Sequence, residues 1–106
     1  MTQKMVFHHV AVQVAHIREG IEWYTSNMDA TCMYQDETWA LIDIGGTKIA
    51  LVLPDQHPPH IAFECDHAEQ FGSLKGHRDG TSSTYIRDPF GNTLELLKTP
   101  REERRQ

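Results

Sequence analysis

Three side chains of this sequence have the chemistry and the spacing to bind one metal ion: His9, His60 and Glu95. Two imidazoles and one carboxylate form a facial ligand set that leaves coordination positions open for a substrate. The three residues are far apart in the sequence, so they make a site only if the fold brings their strands together. Two similar halves of the chain predict such a fold.

The first half, about residues 6–53, is predicted to have the order β-α-β-β-β. Residues 6–14, VFHHVAVQV, alternate between valines and other residues, as in a strand with one buried face. Residues 16–28 have apolar side chains at helical spacing, although Gly20 weakens that helix by about 1 kcal/mol relative to alanine. Three further strands are predicted at 31–35, 38–44 and 47–53, with a Gly45-Gly46 turn before the last one.

A proline-rich linker, PDQHPP at 54–59, precedes the second half, which spans about residues 60–98. There the pattern predicts a strand at 60–65 and a short helix within 66–76. Asp66 and Glu69 would form the capping box of that helix. The last predicted elements are strands at 83–87 and 93–98, joined by a turn at 88–92.

The two halves align as a repeat in which His9 matches His60 and Ala50 matches Glu95. His9 and Ala50 are 41 positions apart in the first half (50 − 9), whereas His60 and Glu95 are 35 positions apart in the second half (95 − 60). The second half is therefore shorter, and the loss falls near residues 77–82. One strand of the second half is expected to be truncated or missing.

Strand alternation predicts that His9, His60 and Glu95 face away from the aliphatic side chains beside them. If those aliphatic faces pack on helices, the three polar residues point into one concave face. An unpartnered carboxylate buried there would cost several kcal/mol, and a metal ion would remove that cost. The alternative is that each histidine is simply a surface or hydrogen-bonded residue.

Tyr85 and Arg87 share the face opposite Ile86 and are predicted, with Glu95, to be catalytic residues. Arginine is suited to bidentate contact with a carboxylate or phosphonate, although it could equally be a solvated residue paired with an acid. Trp39 could line a pocket or fill the core. Five other histidines are expected to be structural or surface residues: His8, His16, His57, His67 and His77.

Composition narrows the class of protein. With 106 residues the chain is expected to be one domain, and its net charge of −5 argues against nucleic-acid binding. Cys32 and Cys65 are too far apart for a CxxC pair, which favours a reduced, cytoplasmic setting. The sequence has no apolar run of membrane length, and its first residues lack the apolar stretch of a secretion signal. We therefore expect no membrane partner.

Four segments resemble the vicinal oxygen chelate superfamily, also called glyoxalase/bleomycin resistance/dioxygenase, over about residues 6–98. These segments are HHVAVQV at 8–14, EWY at 22–24, HIAFE at 60–64 and YIRDPFGNTLEL at 85–96. The resemblance implies an α+β fold of two βαβββ modules, the second shortened, whose mixed sheet curls into a half-barrel around a metal. It also implies that His9, His60 and Glu95 are the ligands.

The resemblance implies a divalent-metal-dependent enzyme that acts on a small oxygen-bearing substrate as a lyase, dioxygenase or thiol transferase. The ligand set does not choose among Fe²⁺, Mn²⁺, Zn²⁺ and Ni²⁺. Isomerases of the glyoxalase I type have a carboxylate where this chain has Ala50, which argues against that reaction. Two alternatives stay open: a non-catalytic protein that sequesters a drug or other small molecule, as in bleomycin resistance, and a structural or regulatory domain whose site has decayed.

The length and the linker also predict the assembly. One short chain with a shortened second half would gain buried surface by forming a homodimer. Three prolines in the linker stiffen it and limit how sharply it folds back. We therefore expect that His9 of one chain completes the site with His60 and Glu95 of the other chain.

Overall fold

A computed structural model describes residues 5–77 and 80–99. Within these residues the chain is an α+β protein with one α-helix and eight strands that belong to one mixed sheet, which confirms the predicted class. None of the described helices is long and apolar enough to cross a membrane. The elements are β1 (Met5–Gln13), α1 (Ile17–Asn27), β2 (Ala30–Gln35), β3 (Trp39–Ile44), β4 (Thr47–Val52), β5 (His60–Cys65), a 3₁₀ turn (Ala68–Gln70), β6 (Lys75–Gly76), β7 (Ser82–Arg87) and β8 (Thr93–Lys98).

The chain divides into two compact units. One unit is His9–Ile61, and the other contains the described residues before His9 and after Ile61. In His9–Ile61 the strand order is β2-β3-β4-β1. β1 runs parallel to β4, whereas β3 is antiparallel to both β2 and β4. This is the predicted β-α-β-β-β order, with a helix connecting β1 to the rest of the sheet.

Alternation along the strands separates the two faces of this unit. The helix-side core contains Ile17, Ala40, Ile42 and Leu51, with the partly buried Val12 and Val14 packed against it. The alternate positions form a second cluster of Ala11, Ala50 and Val52, against which Trp39 and Leu41 pack. His9 has the same strand parity as Ala11, so it belongs to the face that the helix does not cover.

Gly20 decides how closely α1 approaches the sheet. A Cβ atom at this position would lie 3.0 Å from Val14 Cγ1 and 3.2 Å from Leu51 Cδ1. The glycine therefore costs helix propensity but allows close packing of the helix on the strands.

The other unit has the strand order β5-β8-β7-β6, with β7 antiparallel to both β8 and β6. Its core contains Cys65, Ala68 and Leu96, and the partly buried Phe63 and Ile86 pack against it. The expected truncation is confirmed because β6 has only two residues, Lys75–Gly76. Residues 78 and 79, which belong to the segment where the loss was placed, lie outside the described residues.

The predicted helix within 66–76 is wrong. The segment forms only the 3₁₀ turn Ala68–Gln70, its N-cap is His67, and no side-chain cap bond is made there. Gly72 lies close to β7, since a Cβ at that position would lie 2.5 Å from Thr84 Oγ1. The segment thus follows the sheet closely, and its last residues join β7 as a strand instead of continuing a helix.

Candidate functional site

Two buried histidines lie side by side in the unit His9–Ile61. His9 is in β1 and His60 is the first residue of β5, and they are 9% and 7% exposed. Their ring centroids are 5.7 Å apart, with the ring planes at 70°. Both residues belong to one chain here. The exchange of His9 between two chains stays a prediction.

The linker begins with a turn that is closed by backbone hydrogen bonds. The carbonyl oxygen of Leu53 accepts hydrogen bonds from the amides of Gln56 and His57, at 3.0 and 3.2 Å. This bonding forms a tight turn at the start of the linker. Prolines stiffen the segment, but they do not keep it extended, so His60 can lie next to His9 of its own chain.

The tautomer of His60 follows from one hydrogen bond. Its Nδ1 lies 2.8 Å from the carbonyl oxygen of Pro58. A carbonyl oxygen only accepts, so Nδ1 carries the proton and donates it. The Nε2 atom of neutral His60 is then left with its lone pair, which is the form that a metal requires.

Ala50 lies on the same face as His9. In the parallel pairing of β1 with β4 it lies opposite Ala11, and both alanines are buried within the small apolar cluster of that face. The sequence resemblance implies a carboxylate at the matching position of glyoxalase I-type isomerases, whereas the side chain here is a methyl group. No oxygen ligand or carboxylate base can come from this residue.

Glu95 is the carboxylate of the second unit. It lies in β8, is 5% exposed and pairs across the sheet with Tyr85 of β7. Side chains directly opposite each other on antiparallel strands are close enough to interact. Burial raises the pKa of Tyr85, and the negative charge of Glu95 and the hydrogen bond between the two groups raise it further. Tyr85 therefore stays protonated and donates its hydroxyl hydrogen to the carboxylate.

His77 is a neighbour of Glu95 that sequence reasoning did not select. Its Nε2 lies 3.8 Å from Glu95 Oε2 and 2.7 Å from the hydroxyl oxygen of the buried Ser83. The signal that could have found it is its position at the start of the shortened segment. A shorter connection brings the residues at its ends close to the strands that it joins.

His57 was also placed among structural or surface histidines. Its ring centroid lies 6.4 Å from that of His60, and its carbonyl oxygen accepts a hydrogen bond from Gln13 Nε2 at 3.0 Å. The sequence could have indicated this proximity, because His57 lies three residues before His60 in a proline-rich segment with little backbone freedom.

The turn before β8 sets the start of the strand that carries Glu95. Asp88 Oδ1 accepts hydrogen bonds from the amides of Phe90 and Asn92, both at 2.9 Å. Gly91 has a φ of 90°, a conformation that side-chain-bearing residues rarely adopt. Arg87, which precedes the turn, is exposed and lies opposite Thr93, so its catalytic role stays a prediction.

Comparisons with solved structures show which known proteins share this fold. No family model and no curated protein matches the sequence. Among solved structures, methylmalonyl-CoA epimerase from Mycobacterium tuberculosis matches with a TM-score of 0.74 and 15% identity, over 95% of this chain and 92% of that chain. A hypothetical protein from Bacillus halodurans C-125 matches with a TM-score of 0.70 and 15% identity, over 93% and 96% of the two chains.

A glyoxalase/bleomycin resistance protein/dioxygenase superfamily member from Vibrio splendidus 12B01 also matches, with a TM-score of 0.67 and 10% identity, over 92% of this chain and 99% of that chain. The fold is therefore that of the glyoxalase/bleomycin resistance/dioxygenase proteins. This confirms the resemblance found in the sequence motifs at the level of the fold.

Proposed function

We propose that this protein is a divalent-metal-dependent enzyme of the vicinal oxygen chelate type, with His9, His60 and Glu95 as metal ligands. The observations that carry the proposal are that His9, His60 and Glu95 are all buried and that the rings of His9 and His60 lie 5.7 Å apart. A buried carboxylate with two buried imidazoles is the 2-His-1-carboxylate donor set of a divalent transition metal. The residues present therefore fit the ion that the fold implies.

When bound, a divalent ion would supply a Lewis acid that binds substrate oxygens and stabilises negative charge on them. The roles of the other residues follow from their contacts. Tyr85 holds the Glu95 carboxylate through its hydroxyl group, which restrains the orientation of that ligand. Arg87, exposed on the same strand, would bind an anionic group of the substrate.

The reaction would be of the lyase, dioxygenase or thiol-transferase type on a small oxygen-bearing substrate. The buried alanine at position 50 supports this choice, because it removes the second carboxylate that a glyoxalase I-type isomerase would use as its base. Methylmalonyl-CoA epimerase shares the fold, and epimerase activity is a further reaction to include in a substrate screen.

Metal binding tests the proposal directly. Protein purified without chelators should contain about one divalent ion per chain by elemental analysis. Glu95→Gln keeps the shape of the side chain but removes its charge, so calorimetry should show a loss of metal affinity of at least about 100-fold. Glu64→Gln is the matched control, because Glu64 is a partly buried glutamate in β5, and it should bind metal like the wild type.

Two results would oppose the proposal. The proposal would be wrong if the wild type bound no divalent metal. It would also be wrong if Glu95→Gln kept the metal affinity of the wild type. Small-molecule binding that survives EDTA, with no product formed, would indicate the sequestering protein instead of the enzyme.

A further inference from the structure

The linker residues Pro58 and Pro59 lie directly before a buried histidine and contact it. The Pro58 carbonyl oxygen accepts the Nδ1 hydrogen of His60 at 2.8 Å. Both prolines are exposed, whereas His60 is 7% exposed. The contact of Pro58 with His60 is thus made by its backbone carbonyl group.

The sequence of the linker restricts the direction of that carbonyl. The ring of Pro58 fixes its own φ near −65°. Because Pro59 follows, steric contact with its ring also confines the ψ of Pro58 to the extended region. Both backbone dihedrals of Pro58 are therefore restricted, and its carbonyl oxygen is held in one direction before any ligand binds.

The other end of the linker is anchored as well. The turn in which Leu53 accepts two amide hydrogens ends at His57, and Gln13 of β1 donates to the His57 carbonyl at 3.0 Å. Gln13 is 44 residues away from His57 in the sequence. The segment is therefore tied to the strand that carries His9.

We propose that the Pro58–Pro59 dipeptide, anchored by Gln13, is a positioning element that selects the tautomer of His60 and so presents Nε2 as its donor atom. Neutral imidazole in water populates both tautomers, and only the tautomer protonated at Nδ1 carries the lone pair on Nε2. The consequence for metal affinity rests on the proposed function, whereas the tautomer of His60 is a property of the metal-free protein.

Nitrogen NMR of the metal-free protein tests the tautomer. In EDTA at about pH 8, where imidazole is neutral, long-range ¹H–¹⁵N spectra of the wild type should show His60 protonated at Nδ1 only. Pro59→Ala frees the ψ of Pro58 and should produce a mixture of both tautomers. Pro54→Ala is the matched control, because it removes an exposed proline of the same linker, and it should keep the wild-type pattern.

Gln13→Leu provides a second variant that leaves the linker sequence intact. It removes the donor to His57 and should also produce mixed tautomers of His60. Gln35→Leu is its control, since Gln35 is likewise an exposed glutamine at the last position of a strand. Metal affinity should fall by roughly 10-fold in Pro59→Ala and in Gln13→Leu, and stay unchanged in both controls.

The results separate this inference from the proposed function. Nε2 protonation in the wild type would overturn the inference, as would a His60 pattern that Pro59→Ala and Gln13→Leu both leave unchanged. If the wild type shows the Nδ1-protonated form but binds no divalent ion, the proposed function fails, and the tautomers of the two variants still decide the inference.

Discussion

At the scale of single residues, the candidate site consists of buried polar groups whose neighbours fix their state. His60 has its Nδ1 hydrogen bonded to a backbone carbonyl, and Glu95 accepts a hydrogen bond from the opposite tyrosine. Buried polar groups are costly unless they are paired, so each of these contacts removes a cost while it restrains an orientation. The result is a set of side chains with little freedom to rearrange.

The raised pKa of Tyr85 predicts the direction in which stability changes with pH. Its pKa in the folded protein is raised above 10.0, so the native state holds the phenolic proton more tightly than the unfolded state. Its contribution to stability is complete below about pH 10 and is lost as pH rises through the folded-state pKa. The chain has three tyrosines, and ultraviolet titration should show one that ionises above the ordinary range.

Tyr85→Phe should abolish that late ionisation and the matching loss of stability at alkaline pH. Tyr24→Phe, in the helix, is the control and should leave the late step in place. A late step that persists in Tyr85→Phe would show that Glu95 and burial do not act on this residue.

At the scale of elements, two short features position the strands that carry the site. One is the Asp88 turn before β8, and the other is the close approach of α1 to the sheet at Gly20. Neither residue belongs to the proposed ligand set. Both are expected to act on stability, because they determine where a strand begins or how closely a helix packs.

The hydrogen bonds of the Asp88 turn predict that the stability of the protein falls in acid. The Asn92 side chain, Asn92 amide and Phe90 amide donate to the carboxylate, and these hydrogen bonds lower the pKa of Asp88. Its contribution to stability is present above the unfolded-state pKa and is lost as pH falls through the lower folded-state pKa. Asp88→Ala should lower the melting temperature at neutral pH, and this deficit should shrink in acid.

Thermal unfolding followed by circular dichroism at several pH values would measure the effect of Asp88. Asp29→Ala, which changes an exposed aspartate outside the turn, is the control and should have little effect. Equal effects of the two substitutions would contradict a specific role for the turn.

Gly20 predicts a packing effect in α1. Gly20→Val adds atoms where a Cβ already lies 3.0 Å from Val14, so it should destabilise the protein by about 1–3 kcal/mol. Urea unfolding would measure the change. Glu22→Val is the control because it places the same β-branched residue at an exposed position of the helix, where only the propensity cost applies. A similar loss in both variants would rule out close packing as the cause.

At the scale of the whole molecule, we predict a homodimer. The start of β1 exposes Met5, Val6 and Phe7 by 46%, 55% and 45%, and Phe7 makes an edge-on contact with Phe63. A run of apolar residues on a strand of a small protein is a surface that a second copy would cover. Sedimentation velocity should therefore give twice the mass of the chain.

Phe7→Glu should shift that equilibrium towards the monomer, because it places a charge in the apolar run. Trp23→Glu is the control, since Trp23 is 55% exposed in α1, and it should leave the dimer intact. Dissociation by the Trp23 substitution alone would place the interface on the helix. A wild type that sediments as a monomer would reject the dimer.

The sequence by itself determined most of the elements and the candidate ligands. Strand alternation and helical spacing are local consequences of burying one face, so β1, α1 and β3 to β5 lie within one or two residues of their predicted positions. The repeat and the same alternation selected His9, His60 and Glu95, which are all buried.

Only the tertiary structure decided which groups surround those residues. The segment 66–76 has a plausible cap, but it forms only a 3₁₀ turn and ends in the two-residue strand β6, which pairs with β7. Gly72 lies so close to Thr84 that a Cβ at that position would be 2.5 Å from Thr84 Oγ1. The proximity of His77 to Glu95 and the pairing of His9 with His60 of the same chain depend on contacts between residues distant in sequence. Periodicity reports whether a residue is buried, whereas the identity of its neighbour is determined only when the strands and turns are brought together.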